Sequence, residues 1–255
     1  MITSPRLLSL VVSVFGLVAS SSATAGAFGP GEQMTLSVDY SGVTAGRAVI
    51  TVGSATKVGT QDVWPVVTVA DTAALFSLFP LHDKFVTWWS PATSHGIGYD
   101  FSSNENGKVR RERCKLNSPA PGKAQVQRVR EDAPPSQSAY DIDPTAEDIA
   151  SAFFYLRTLT LTPGSDSTIP VFTGTHSWNM LVHANEAGPL DVPAGHFDAL
   201  ALDVEVHFQG KLESKRRIKV WLSNDERHLL LKLEAELALG ALHGELVEYH
   251  PGNPG

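Results

Sequence analysis

Apolar and polar residues alternate with a period of two along most of this chain, which is the pattern of half-buried β-strands. The first alternation runs from Met34 to Tyr40, and a second covers residues 48–52. Ser41–Gly46 separates them and predicts a hairpin with a loop of more than two residues. Further strands are predicted at 63–69, 84–89, 96–101, 108–115, 125–129, 168–172, 177–183, 197–208, 211–222, 228–237 and 242–249.

The stretch 143–164 is the only convincing helix, and its start signals are local. Asp143 is a suitable N-cap, because its carboxylate can accept the free amide hydrogens of a first turn. Pro144 then takes the first helical position, where a missing N–H costs nothing. Glu147 and Asp148 would lie in the first turn and complement the positive end of the helix dipole. The pattern therefore predicts a helix over about 145–158.

This helix carries one apolar stripe. Ile149, Ala152, Phe153 and Leu156 follow one another at helical spacing, and Pro163 ends the segment. A helix of this length is marginal on its own in water, so we expect its aromatic face to pack on the strands.

Three segments are less regular. Residues 74–79 could begin a short helix that Pro80 stops, and residues 132–139 are rich in proline, which predicts a loop. Residues 229–246 contain Leu, Glu and Ala, which also suit a helix, but their alternation favours strands. The fold class predicted is mainly β: a large curved antiparallel sheet or open barrel with one packed α-helix. It forms a single domain over residues 26–250, with a flexible tail at 251–255.

The N-terminus has the three parts of a secretory signal peptide. Arg6 supplies the positive charge, 7–19 is an apolar run, and 23–25 is an A-x-A cleavage site. The run is too short to span a membrane comfortably. We expect a periplasmic or secreted bacterial protein, cleaved after about Ala25, with no transmembrane segment afterwards.

Composition narrows the class of partner. The net charge of −7 argues against nucleic acid, and 42% hydrophobic residues are enough for a large core. Cys114 is the single cysteine, so no intrachain disulfide forms. It is a reactive thiolate or, more simply, a strand residue.

Catalytic motifs are absent from the sequence: there is no G-x-S-x-G, H-E-x-x-H, P-loop or G-x-G-x-x-G. His176 and His183 are seven residues apart, as are His243 and His250, which places each pair on opposite faces of a strand. We therefore predict no metal site, no cofactor and no enzyme activity.

Aromatic residues are the candidates for ligand contact. Trp88 and Trp89 are adjacent, so they lie on opposite faces of a sheet, and one of them could line a groove. Arg157 is either an anchor for an anion or a structural cation at the helix C-terminus. The basic run 108–115 could meet phosphates or form a solvated strand face. The candidate ligand-binding residues are Trp88, Trp89, Phe153, Tyr155, Arg157 and Trp221.

The segments FGPGE (28–32), GVTAG (42–46), 143–164, 195–205 and 219–246 together resemble a secreted bacterial family known only as domain of unknown function 3108. Ser151 to Arg157 matches its central pattern D-x-x-S-A-x-x-Y-L-R, and Trp221 to Arg227 matches W-x-S-x-D-x-R-x-x-P up to the proline, which is replaced here by leucine. The resemblance implies a mostly β envelope domain without a known activity.

Two hypotheses follow. The first is a non-enzymatic envelope protein in which the helix covers part of a concave sheet and the space beside it binds a lipid, glycan or protein partner. The remaining lining would include one of Trp88 and Trp89, and Trp221. The alternative is a hydrolase-type envelope enzyme with an unrecognised site, which a cluster of Asp, His and Arg in one pocket would favour.

Overall fold

The computed structural model describes residues 27–72, 81–105, 108–208, 211–212, 218–237 and 240–253. The predicted signal peptide, the helix at 74–79 and the turn at 209–210 lie outside them. The described residues contain one helix, α1 (Ile149–Thr158), and sixteen strands. The strands are β1 (Gln33–Tyr40), β2 (Val43–Val52), β3 (Thr56–Val58), β4 (Gln61–Thr72), β5 (Leu81–Ser90), β6 (His95–Glu105), β7 (Lys108–Leu116), β8 (Lys123–Arg130), β9 (Ala133–Asp141), β10 (Asp166–Phe172), β11 (Ser177–Val192), β12 (Gly195–Phe208), β13 (Lys211–Leu212), β14 (Ile218–Ser223), β15 (Leu230–Leu237) and β16 (Gly240–His250).

The strands form one antiparallel sheet. Its continuous path is β10-β11-β12-β14-β15-β16-β1-β2-β4-β5-β6-β7-β8-β9, and the short strands β13 and β3 pair with β12 and β4. The end strands β9 and β10 do not pair with each other along the described path, so the sheet is not closed into a barrel. The prediction of a large antiparallel sheet or open barrel with one helix is confirmed.

The two ends of the sheet nevertheless meet through side chains. The rings of Tyr140 on β9 and Phe172 on β10 lie 5.2 Å apart. Arg128 Nη2 on β8 donates a hydrogen bond of 2.6 Å to the carbonyl of Gly174, in the turn after β10. Because opposite ends of the path touch, the sheet must curl, as a sheet of this many strands tends to do.

The connection between these ends explains why the helix begins later than predicted. Glu147 donates its N–H to the Pro170 carbonyl at 2.9 Å and accepts the Phe172 N–H at 2.8 Å, which fixes it as an extended partner of β10. Helix α1 therefore begins at Ile149, with Asp148 as its N-cap. Long-range strand pairing has overridden the local start signals.

Asp143, the predicted cap, instead closes a small turn. Its Oδ1 accepts hydrogen bonds from the Thr145 backbone N–H at 2.7 Å and the Thr145 hydroxyl at 2.6 Å. The predicted apolar stripe also needs correction, because Ile149 is 57% exposed whereas Leu156 is buried. These residues lie on one face of the helix, so its first turn is uncovered on the side that is enclosed two turns later.

Two loop predictions were wrong. The β1–β2 loop is only Ser41-Gly42, both with positive φ (50° and 83°), which suits a tight two-residue hairpin. The predicted loop at 132–139 is mostly strand β9. Its prolines are tolerated because β9 pairs only with β8 and therefore lies at the edge of the sheet.

Residue Trp89 defines the side of the sheet that faces the helix. It is 2% exposed and lies in one core cluster with Phe154 of α1 and leucines from the far strands β12 to β16. We call this the inner face; it carries alternate residues of each strand, with a shift at each β-bulge, such as the one in β6 opposite Thr87 and Trp89. Helix α1, the one helix in the described residues, is not long and apolar enough to cross a membrane.

Candidate functional site

The structure separates the two adjacent tryptophans, as their spacing predicts. Trp89 is on the inner face, with its ring 5.3 Å from that of Phe28 and 6.4 Å from that of Phe154. Trp88 is on the outer face, half-buried, and its Nε1 donates a hydrogen bond of 3.1 Å to Asp100 Oδ2. Trp89 is thus enclosed in the core, and Trp88 points away from the helix.

Trp221 is also on the outer face. Its neighbour Leu222 is the fully buried inner residue of β14, and Lys232 Nζ lies 5.3 Å from the Trp221 ring. Alternation along β14 places Trp221 opposite Leu222, and its half-buried ring still packs against the edge of the core cluster.

The remaining predicted residues are on α1. Phe153 is half-buried, and its ring meets Phe154 edge-on at 5.4 Å. Tyr155 is half-buried and stacks on His95, with centroids 5.0 Å apart and an interplanar angle of 22°. The six predicted residues therefore do not form one site.

Arg157 is enclosed together with a carboxylate from the segment before β1. Its guanidinium donates to both Glu32 oxygens, at 2.6 and 3.0 Å, and to the carbonyls of Arg227 and Ala27. Its Cζ lies 4.9 Å from the centre of the Phe28 ring. The Arg157 side chain has no exposed surface, so it joins the helix end to the first and late strands.

A second polar network surrounds the start of the helix. His95 Nδ1 lies 2.5 Å from Glu147 Oε1, and the other Glu147 oxygen accepts the Gly96 N–H at 2.9 Å. Glu147 is buried, whereas 39% of the His95 side chain is exposed. His95 faces a cleft of about 480 Å³.

The N-cap carboxylate, Asp148, lies beside this network. Asp148 Oδ1 accepts the N–H groups of Ala150 and Ser151, each at 3.0 Å, and Oδ2 accepts the Thr87 hydroxyl. Burial away from water disfavours the charged form and raises the pKa of Asp148 to about 6, despite these hydrogen bonds.

The inner face itself changes character along the strands. Near the helix its apolar side chains are almost fully excluded from water: these are Met34, Leu36, Leu200, Leu202, Leu222, Leu231 and Leu246. Elsewhere on these and neighbouring strands they are only half-buried: these are Val38, Ile50, Met180, Val206, Ile218, Val220, Leu233 and Leu242, joined by Phe85 and Phe101. We call this second set the open lining.

The alternation within each strand places the members of the open lining on a common face. Alternation alone does not predict which face packs against the helix, or how much of that face the helix covers. Both depend on pairing between distant strands. The aliphatic residues of the open lining were therefore not predicted as ligand contacts, whereas the tryptophans were. Within the described residues, no group of three or more His, Cys, Asp or Glu side chains could hold a metal ion.

A family described as protein of unknown function (DUF3108) matches residues 35–247. The chain belongs to this family. The DUF3108 fold seen here is similar to that of a β-barrel-like protein of domain of unknown function DUF1849 from Brucella abortus. That similarity has a TM-score of 0.57 at 11% identity and covers 88% of this chain and 99% of the other.

Two further structures align over most of their length with lower TM-scores. A candidate lipoprotein from Parabacteroides distasonis gives 0.33 at 10% identity, covering 89% of this chain and 99% of the other. A candidate exported protein with a YmcC-like fold from Bacteroides fragilis gives 0.29 at 9% identity, covering 88% and 98%. No curated protein matches the sequence of this chain. The family match and the structural similarity show the family and the fold of this chain, and they assign no function to it.

Proposed function

We propose that this protein is a non-enzymatic envelope protein that binds an apolar or amphipathic molecule along the open lining. The observation that carries the proposal is the difference in burial within one face of the sheet. The same strands that bury Leu222, Leu231 and Leu246 completely leave Val220, Leu233 and Leu242 only half-buried.

The size of this surface suits weak to moderate binding. If ten such side chains each covered on the order of 40 Å² on binding, the gross gain at about 25 cal/mol/Å² would be roughly 10 kcal/mol. Association costs about 4–15 kcal/mol in lost freedom, so only part of that gain becomes affinity. Apolar lining with a few polar groups is the common composition of small-molecule sites.

Location in the periplasm or outside the cell is part of the proposal. It is supported by the charged start, apolar run and A-x-A triplet of residues 1–25. N-terminal sequencing of the protein exported from a bacterial host should give Gly26 as the first residue. Material that begins at Met1 would contradict this location.

Binding can be tested with the mature chain and a neutral environment-sensitive dye such as N-phenyl-1-naphthylamine. We expect saturable fluorescence enhancement with about one dye per chain, and displacement by a long-chain alcohol. A linear, non-saturating response would argue against a binding site on the inner face.

One observation favours the alternative of an enzyme. A histidine oriented by a buried carboxylate, such as His95 with Glu147, is two-thirds of a Ser-His-Asp arrangement. Among the described residues, no serine, threonine or cysteine side chain hydrogen-bonds His95. Ester hydrolysis that is lost in His95→Ala, with an unchanged melting temperature, would support the enzyme and contradict the proposal.

A further inference from the structure

Three arginines share the inner face at the end of the sheet opposite to the leucine-rich strands. Arg110 on β7 and Arg130 on β8 are direct cross-strand partners. Arg128 is two residues before Arg130 on the same face, opposite Glu112. Alternation along β7 sends Arg111 and Arg113 to the outer face.

These side chains open into a common cleft of about 400 Å³. Besides the three arginines, its lining includes the hydroxyl-bearing residues Ser136, Tyr140 and Thr175, and it contains no carboxylate. Guanidinium and hydroxyl groups are all hydrogen-bond donors, and arginine is the preferred partner of phosphate and carboxylate. Arg128 donates at 3.4 Å to the Tyr140 hydroxyl, which lowers the Tyr140 pKa.

The nearby acid, Glu112, is shared between Arg128 and Tyr99. Its Oε2 accepts from Arg128 Nε at 2.7 Å, and its Oε1 accepts from the Tyr99 hydroxyl at 2.5 Å. Arg110 reaches it only at 3.7 Å. Within the described residues, Arg130 has no ion pair or side-chain hydrogen bond. Like charges directly opposite each other destabilise a strand pair, so an added anion between Arg110 and Arg130 would relieve their repulsion.

The cleft is continuous with the open lining. Arg110 Cζ lies 5.9 Å from the centre of the Phe101 ring, and Phe101 lies 6.2 Å from Phe85. Phe85 pairs with Thr68, and Thr68 with Ile50, along one row across the sheet. The inner face therefore passes from cationic to aromatic to aliphatic over neighbouring strands.

We propose that Arg110, Arg128 and Arg130 bind the anionic group of an amphipathic ligand whose apolar part lies along Phe101, Phe85 and Ile50. This inference rests on the proposed function of the open lining and adds the chemical class of the ligand: a long-chain phosphate or carboxylate. Arg128 also hydrogen-bonds the turn after β10, so substituting it would disturb the fold as well as the cleft. Arg110 and Arg130 are therefore the two positions at which the contact with the anion can be tested separately.

The test compares dodecyl phosphate, dodecanol and inorganic phosphate as competitors of the neutral dye, each below its micelle concentration. The variant is Arg110→Gln with Arg130→Gln. The matched control is Arg111→Gln with Arg113→Gln, which removes the same charge from the outer face of this sector. Melting temperatures of both variants should be measured first. If the double variant is unfolded, Arg130→Gln alone replaces it, with Arg111→Gln as its control.

In the wild type and the control, dodecyl phosphate should compete at least tenfold more strongly than dodecanol, because charged hydrogen bonds add to the apolar contact. In the Arg110/Arg130 variant the two should compete within about twofold. Inorganic phosphate should weaken dodecyl phosphate binding in the wild type but leave dye binding unchanged.

The possible failures are distinguishable. If dye and dodecanol bind but the phosphate has no advantage, the anion cleft is wrong and the proposed function stands. If the advantage persists in the Arg110/Arg130 variant, the anion binds elsewhere, and the inference is also overturned. If neither dye nor dodecanol binds, the proposed function fails, and the amphiphile inference fails with it, even where inorganic phosphate still binds.

Discussion

The guanidinium of Arg157 and the carboxylate of Glu32 form a doubly hydrogen-bonded ion pair that is almost completely excluded from water. The two residues are 125 positions apart in the sequence. The pair joins the last turn of α1 to the segment that enters β1, and the same guanidinium holds the carbonyl of Arg227 after β14. One side chain thus connects three distant parts of the fold.

We predict that Arg157→Ala lowers the free energy of unfolding by about 3–5 kcal/mol, because it leaves the Glu32 carboxylate buried without its partner. Arg157→Met with Glu32→Leu should recover much of that loss, since no charge is then stranded. Urea unfolding monitored by tryptophan fluorescence measures both. A loss below about 1 kcal/mol in Arg157→Ala would contradict the structural assignment.

Asp148 should make stability depend on pH. Its pKa is about 6 in the folded protein against an ordinary value of 3.8. At a pH between these two values, the Asp148 carboxyl is protonated in the folded chain and ionised in the unfolded chain. The stabilising contribution is therefore complete below about pH 4 and is lost as the pH rises through 6, a change of about 3 kcal/mol.

Asp148→Asn should remove this dependence, because the amide oxygen can still cap the helix. We expect the difference in unfolding free energy between wild type and Asp148→Asn to change by about 3 kcal/mol between pH 4 and pH 7, with the wild type favoured at low pH. Parallel stability curves over that range would show that Asp148 titrates normally.

Gly96 should not tolerate a side chain. A Cβ there would lie 2.5 Å from Ser151 Cβ and 3.0 Å from Glu147 Oε2, in the network that fixes the start of the helix. We predict that Gly96→Ala costs about 1–3 kcal/mol by overpacking. Gly188→Ala, in β11, is the control, because a Cβ there meets nothing within 4 Å. Similar melting temperatures for the two variants would contradict this packing.

The sequence predicts the strands well where a single face is buried, as at 200–206, since alternation is a local signal. It misplaced the helix start because the backbone of Glu147 is used by β10, which comes later in the chain. It missed β9 because two prolines are tolerated only at an edge, and edges are defined by the whole sheet.

The candidate site was harder to predict for the same reason. Alternation predicts that Trp88 and Trp89 lie on opposite faces of the sheet. Only the contact of Trp89 with Phe154 on the helix shows that Trp89 lies on the inner face. Arg110 and Arg111 are neighbours in one basic run, yet they lie on opposite faces of the sheet, and only Arg110 lines the cleft with Arg128 and Arg130. The period of two along a strand predicts that Arg110 and Arg111 lie on opposite faces of the sheet. It does not predict which of the two faces is the inner one.

The central claim, that the open lining binds an apolar or amphipathic molecule, is tested most directly by titrating the neutral dye into two variants of adjacent residues. Ile50 is half-buried on the inner face, and Val49 is half-buried on the outer face of the same strand. With both variants folded, Ile50→Glu should weaken dye binding at least tenfold, and Val49→Glu should stay within about twofold of the wild type. Equal affinities in the two variants would contradict the account.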